Sequence, residues 1–385
     1  MSTGLDFSDP KSLPESFMEK KKSLKGLEDF RFGLKHAFID SAVAQLKDFT
    51  DILHDFPADI LLCDSLFLGA SWVHEKTGLP WAAFHTSALF FTSRDTAPFG
   101  LGIQPDTSAL GHLRNHVLNW VYRRILLNDV TAYLDQVRGS VGLSPEGKDF
   151  FEAILSPFLF LQATVPDFEY PRSNLPPSVH FIGPFSPEPP SSFTPPAWWD
   201  ELKGDLPVVH VTQGTVATDT NDLIVPTLQA LADEDVLVVA TTGGQPIESI
   251  KLDPIPANAR IEPFIPHYYL LPHVDVMVTN GGYNGVQVAL ANGVPLVAAG
   301  QTEDKPEVCA RVQWAGVGIN LKTKTPTPTQ VRDAVKAILA CSDYRQKAQF
   351  LQAEMARYNA PTLAVTLLEK LVATKQPVLR DSEDV

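Results

Sequence analysis

Asp275-Val-Met-Val-Thr-Asn-Gly-Gly-Tyr-Asn-Gly-Val-Gln-Val-Ala-Leu290 runs from a buried-strand pattern through a glycine turn into a helix. Gly281, Gly282 and Gly285 strip side chains from the place where the helix begins. The first-turn N–H groups and the positive end of the helix dipole are thereby offered to an anion. A phosphate is the natural guest. The glycines alone would equally suit a tight turn with no ligand, so the surrounding sequence decides. The helix ends at Asn292-Gly-Val-Pro295, a strand follows, and Gln301-Thr-Glu-Asp-Lys305 comes at that strand's carboxyl end. Upstream, Gln213-Gly-Thr-Val-Ala-Thr218 sets glycine beside hydroxyls after another strand, and Phe264-Ile-Pro-His267 adds an aromatic face and an imidazole. An aromatic for a base, amides for a diphosphate and carboxylates for hydroxyls together describe a nucleotide-sugar site.

Strands are expected over residues 208–212, 236–241, around 261, 274–279 and 296–299, with helices over 223–232 and 285–292. This alternation means a doubly wound parallel α/β sheet covered on both faces. The first half reads similarly: helical periodicity over 24–56, a strand at 60–63, a helix to Lys76 stopped by Gly78, a strand at 80–84, helix over 110–141, and strands at 159–163 and 180–182. Residues 183–199 hold six of the 32 prolines, a stiff stretch that reads as an interdomain linker. The expected domains are 1–185, a linker over 186–206, a second domain over 207–370 and a tail over 371–385. Ligands of such sheets bind beyond the carboxyl ends of the strands, so the post-strand loops define a cleft between the domains.

A length of 385 residues, 44% hydrophobic and 20% charged, is that of a folded two-domain protein. The net charge of −14 argues against a nucleic-acid partner, and the short basic run Lys20 to Lys22 reads as a solvated segment. Cys63, Cys309 and Cys341 are too scattered for a disulfide framework or a zinc site. No apolar run is long enough to span a bilayer and the N-terminus has no signal-peptide layout, so a cytoplasmic protein is expected. Asp233-Glu-Asp235 resembles a metal-binding Asp-x-Asp but precedes its strand; no metal and no cofactor are expected.

The second half resembles the family 1 UDP-glycosyltransferases of the bacterial and fungal small-molecule branch, and the resemblance extends over nearly the whole chain. The family pattern His-x-Gly-x-x-Ser/Thr, Gly-Val-Pro, Asp-Gln stands here as Asn280-Gly281-Gly282-Tyr283-Asn284-Gly285, Gly293-Val294-Pro295 and Asp304-Lys305. The resemblance implies a GT-B fold of two Rossmann-like domains facing a cleft. It also implies transfer of a hexose from a nucleotide sugar, with UDP as carrier, to a hydroxyl of a lipophilic small molecule, with inversion and without metal. The implied donor site is Gly214, Thr215, Phe264, His267, Asn280, Gly281, Gly282, Asn284, Gly285, Asp304 and Lys305. Asn280 stands where the family has histidine, bringing an amide but no charge; Val288 stands where many relatives grip ribose with glutamate, and Phe264 where they stack a tryptophan on the base.

In the first half, Ile-Leu-Leu-Cys-Asp64 matches the strand-end aspartate that orients the family's catalytic histidine. That histidine lies in a Gly-His-x-x-Pro-like loop, and none of the ten histidines here has this context. The first domain is therefore expected to be incomplete, with strand 60–63 left at an open edge. His85, following strand 80–84, is a substitute base candidate. Phe90, Phe91, Phe99 and Trp120 are candidates for an apolar acceptor cavity. A catalytically inactive nucleotide-sugar-binding or partner protein, and a nucleotide-sugar epimerase of the same fold, are the alternative functions.

Overall fold

The computed structural model describes residues 19–20, 23–24, 26–185, 190, 192–214 and 219–380. Two parallel sheets organise them. The first has the order β1 (Leu61–Asp64), β2 (Trp81–His85), β3 (Leu159–Gln162), β4 (Val179–Phe181). The second, β5 (Val208–Thr212), β6 (Leu237–Thr241), β7 (Ala259–Glu262), β8 (Val276–Thr279), β9 (Leu296–Ala298) and β10 (Gly318–Asn320), is ordered β10-β9-β8-β5-β6-β7. All its pairings are parallel, and β5, β6 and β8 are buried along their whole length. Their Val-rich runs have no polar alternation because helices cover both faces.

The described helices are α1 (Leu27–Phe32), α2 (Asp40–Asp55), α3 (Gly69–Thr77), α4 (Ala109–Val121), α5 (Asn128–Ser140), α6 (Phe150–Ala153), α7 (Ile224–Leu231), α8 (His267–Leu270), α9 (Tyr283–Ala291), α10 (Lys305–Trp314), α11 (Pro328–Ala340), α12 (Ser342–Met355) and α13 (Ala360–Thr374). A π-helical segment, Gly33–Ile39, joins α1 to α2 and another, Tyr122–Leu126, follows α4. α3 stops at Gly78, which takes the left-handed conformation at φ 75°, as a helix-ending glycine should.

The chain does not end on the second sheet. α13 returns to the first, where Ala364 and Leu371 pack with Leu159, Leu161 and Ile182, and Val378 N–H donates to Phe158 O at 2.8 Å. The boundary expected at residue 370 thus falls inside a helix that belongs with the first sheet. Of the expected linker, the described part continues into a short 3₁₀ turn, Trp199–Lys203, with Trp198 Nε1 donating to Glu262 Oε1 at 2.9 Å. β1 pairs with β2 on one side and with no strand on the other among the described residues, and its Leu62 is 51% exposed.

An apolar cluster crosses between the domains, joining Ala88, Val165 and Phe168 to Tyr283, Val308 and Val312. Beside it lies a buried charged seam. Arg311, wholly inaccessible, donates to Glu169 Oε2 from Nε at 2.9 Å and to Glu307 Oε2 from Nη1 at 3.0 Å, and its guanidinium lies 4.1 Å over the Tyr170 ring. Glu307 in turn accepts from the Gly100 and Gly102 amides, and Glu169 from Leu89 N.

Candidate active site

β5 is the second sheet's topological switch: from it the chain goes to β6 and β7 on one side, then crosses to β8, β9 and β10 on the other. Adjacent post-strand loops part at such a point and leave a crevice. Here the loops after β5, β8 and β9 meet. Asn280 Nδ2 donates to Gln213 O, tying the β8 loop to the β5 loop. At Gly300 the chain runs so close to Asn280 O that a Cβ would stand 2.1 Å from it. Gly281, at φ 79°, leaves only 2.5 Å between a would-be Cβ and Cys309 Sγ. Both positions admit glycine alone.

The Gly281 and Gly282 amides are already bonded within the turn. Gly281 N–H donates to Thr279 Oγ1 and Gly282 N–H to Asn280 Oδ1, each at 3.2 Å. Short polar side chains two residues upstream have satisfied both amides, as in Ser/Thr and Asx turns. α9 begins one residue later with Gly282 as N-cap and no side chain capping it. The amides offered to an anion are therefore those of Tyr283, Asn284 and Gly285, which a helix cannot satisfy from within. Asn280 likewise spends its amide within the loop, on Gln213 O and Gly282 N.

Around this turn Asn284 is exposed and Gly285 half-buried, and Gly214, at φ 72°, is exposed beyond β5. Thr215 lies outside the described residues. Phe264, beyond β7, is 66% exposed with its ring free for stacking. His267 opens α8 half-buried, its ring 5.6 Å from that of His210, and burial lowers its pKa, leaving it neutral. Asp304 precedes α10 and accepts from Ser87 Oγ of the first domain at 2.5 Å; burial raises its carboxyl's pKa. Lys305 turns to Glu303 and Thr302. Ser87 was not foreseen, although a hydroxyl two residues past a strand end is a recognisable signal. Gln162 Nε2 donates to Tyr283 OH at 3.1 Å and Thr164 Oγ1 to Gln287 Oε1 at 2.9 Å, so the carboxyl edge of the first sheet faces the start of α9.

Asp64 ends β1 at that same edge. Solvent reaches it, yet protein crowds around it, and desolvation raises its carboxyl's pKa; its Oδ1 accepts from Leu66 N at 2.9 Å. The substitute-base candidate is buried. His85 is the last residue of β2, 4% exposed, with Nδ1 accepting from Ser65 Oγ at 2.7 Å, Nε2 donating to Ala88 O at 3.3 Å and the Phe90 ring packed edge-on at 4.8 Å. Burial holds its pKa down at about 4. A ring closed to solvent and bonded at both nitrogens strips no substrate proton. The unfolded chain, with histidine near 6.5, protonates before the fold does, so stability should decline as pH falls from about 6.5 towards 4. This histidine contributes up to about 3 kcal/mol of that decline. Denaturant midpoints taken across this window should fall less steeply in His85→Phe than in the wild type.

The aromatic candidates divide. Phe90 and Phe91 are core, packed with Phe160, and Phe99 packs partly buried between the two domain cores. Trp120 is 55% exposed and lines a cavity of about 660 Å³ in the first domain. The cavity is not apolar: Arg94, Arg123 and Arg124 stand in its wall. Asp233, Glu234 and Asp235 lie at the amino end of β6, with Glu234 paired to Lys336.

Two parallel-sheet α/β domains meeting at their carboxyl edges, one with an uncapped helix at its switch point, define a GT-B protein. The profile described as erythromycin biosynthesis protein CIII-like, C-terminal domain matches residues 226–371. The 4'-demethylrebeccamycin synthase of Lentzea aerocolonigenes is 50% identical over 359 residues, covering 93% of this chain and 84% of that one. UDP-glycosyltransferase 2 of Phaeomoniella chlamydospora is 37% identical over 374 residues, covering 92% and 81%. Among solved structures, that of the kitacinnamycin glycotransferase superposes with a TM-score of 0.70 at 20% identity over 91% of this chain and 84% of its own. The calicheamicin glycosyltransferase CalG4 gives 0.69 at 20%, over 95% and 86%. The chain belongs to the family 1 UDP-glycosyltransferases, enzymes of glycosyl transfer. No helix among the described residues is long and apolar enough to cross a membrane.

Proposed function

We propose that this enzyme moves a hexose from a UDP-sugar to a hydroxyl of a lipophilic small molecule, by single displacement with inversion and without a metal or other cofactor. The observation that carries the reading is the uncapped first turn of α9 at the switch point of the second sheet. Amides of residues 283–285 hold the diphosphate and neutralise the charge that grows on it as the glycosidic bond breaks. Phe264 stacks on the base, and Asp304 binds sugar hydroxyls with its burial-raised carboxyl. His267, neutral, and Gly214 complete the wall. Lys305, already paired with Glu303, contributes through that pair.

In the transfer step the acceptor oxygen bonds to the anomeric carbon as the bond from that carbon to the β-phosphate oxygen breaks. UDP leaves, and the acceptor's proton passes to Asp64. A carboxylate with a raised pKa is the better base for this. Asp64→Asn should lower kcat at least about tenfold, less than the roughly hundredfold or more usual for a general base because water can also take the proton, while leaving the affinity for UDP unchanged. Unaltered kcat would remove Asp64 from the mechanism.

The burial of His85 favours one alternative, a protein that binds the donor without turning it over. Incubation with UDP-glucose, with and without a panel of phenolic and sterol acceptors, separates the readings. Glycoside formed only with acceptor supports transfer, UDP binding without turnover supports the alternative, and conversion of donor alone would indicate an epimerase.

A further inference from the structure

The cavity beside Trp120 has a chemistry of its own. Its volume of about 660 Å³ falls within the range of small-molecule sites. Arg123 is neutralised by Asp149 and Glu152. Arg124, exposed, has no ion-pair partner among the described residues. Arg94 gives its Nε to Ser173 Oγ at 2.8 Å and stands 3.7 Å from Asp95, with 71% of its side chain open to solvent. In a chain of net charge −14, Asp95 stands beside Arg94 and two wall carboxylates answer Arg123, which leaves the Arg124 guanidinium to draw an anion into the concavity. The wall also holds an orphan: Asn119, 8% exposed, donates from Nδ2 to Ser93 O and Thr96 O, but its Oδ1 has no partner.

We propose that this cavity binds a planar aromatic acid, whose ring stacks on Trp120 and whose carboxylate meets the Arg124 guanidinium with that of Arg94 beside it. The proposal rests on the glycosyl-transfer reading in one respect only, that such a molecule serves as acceptor. It narrows the lipophilic acceptor to one carrying a single acidic group. A neutral sterol would leave the Arg124 guanidinium without an anion.

The test is calorimetric titration of the full chain with 4-hydroxycinnamate and with its methyl ester, which keeps the ring and hydroxyl but not the charge. The acid should bind about tenfold tighter or better, the scale of a charge-assisted hydrogen bond. The Arg94→Gln/Arg124→Gln variant should bring acid and ester level, and Trp120→Ala should weaken both. Equal affinities in the wild type, discrimination that survives in the double variant, or no binding of either probe would overturn the proposal. Thermal stabilisation by UDP, recorded on the same samples, reports the donor site separately, so the failure of one claim is not mistaken for failure of the other.

Discussion

Arg311→Met should lower the unfolding free energy by about 3–5 kcal/mol, the cost of breaking a buried ion pair from one side. The side chain is fully inaccessible and its charge answers Glu169 and Glu307 together, with Arg172 3.6 Å from Glu169 completing the balance. Methionine fills part of the volume, but it leaves two buried carboxylates facing one guanidinium. Because this seam ties the loop at Leu89, Gly100 and Gly102 to α10, the loss should appear as earlier parting of the two domains in a denaturant titration. Adding Glu307→Gln to Arg311→Met restores charge balance and should recover much of the loss. A single-variant loss below about 1 kcal/mol would mean that water already reaches the seam, which its burial denies.

Gly282→Asp should leave the fold at least as stable as the wild type and abolish the rise in melting temperature that UDP produces. The residue is the N-cap of α9 in extended conformation, φ −61° and ψ 130°, and a Cβ there would come no nearer than 3.6 Å to Asn280 Oδ1. Aspartate is a favoured N-cap, so the helix gains rather than loses. Its carboxylate takes the amides of residues 284 and 285, two of the three that a diphosphate needs, and repels the ligand besides. Gly282→Ser, a neutral cap, should keep a reduced UDP response. If Gly282→Asp retained the full UDP shift, the diphosphate would have to be held elsewhere.

The sequence made the second sheet legible where its chemistry is local. Val208–Thr212 forms the strand its apolar run predicts, and β8 and α9 follow the strand-to-glycine-to-helix order written in residues 275–290. What it concealed depends on contacts far along the chain. His85 reads as a loop residue because β2 was expected to stop at residue 84; one more strand residue turns the ring inward, where Ser65 and Ala88 take both nitrogens. α10 gives a poor apolar signal because its buried face includes Glu307 and Arg311, whose partners lie in the other domain. The return of α13 to the first sheet has no local signature at all. The use of the Gly281 and Gly282 amides within the turn, by contrast, was open to inspection, since Thr279 and Asn280 are the side chains that commonly bond two residues ahead.

Titration of UDP against uridine isolates the contribution of the phosphoryl groups. If the first-turn amides of α9 hold the diphosphate, UDP binds the wild-type chain at least about 100-fold more tightly than the bare nucleoside, as expected of two or more hydrogen bonds to a charged group. Equal affinity for UDP and uridine, or no association of UDP, would contradict it.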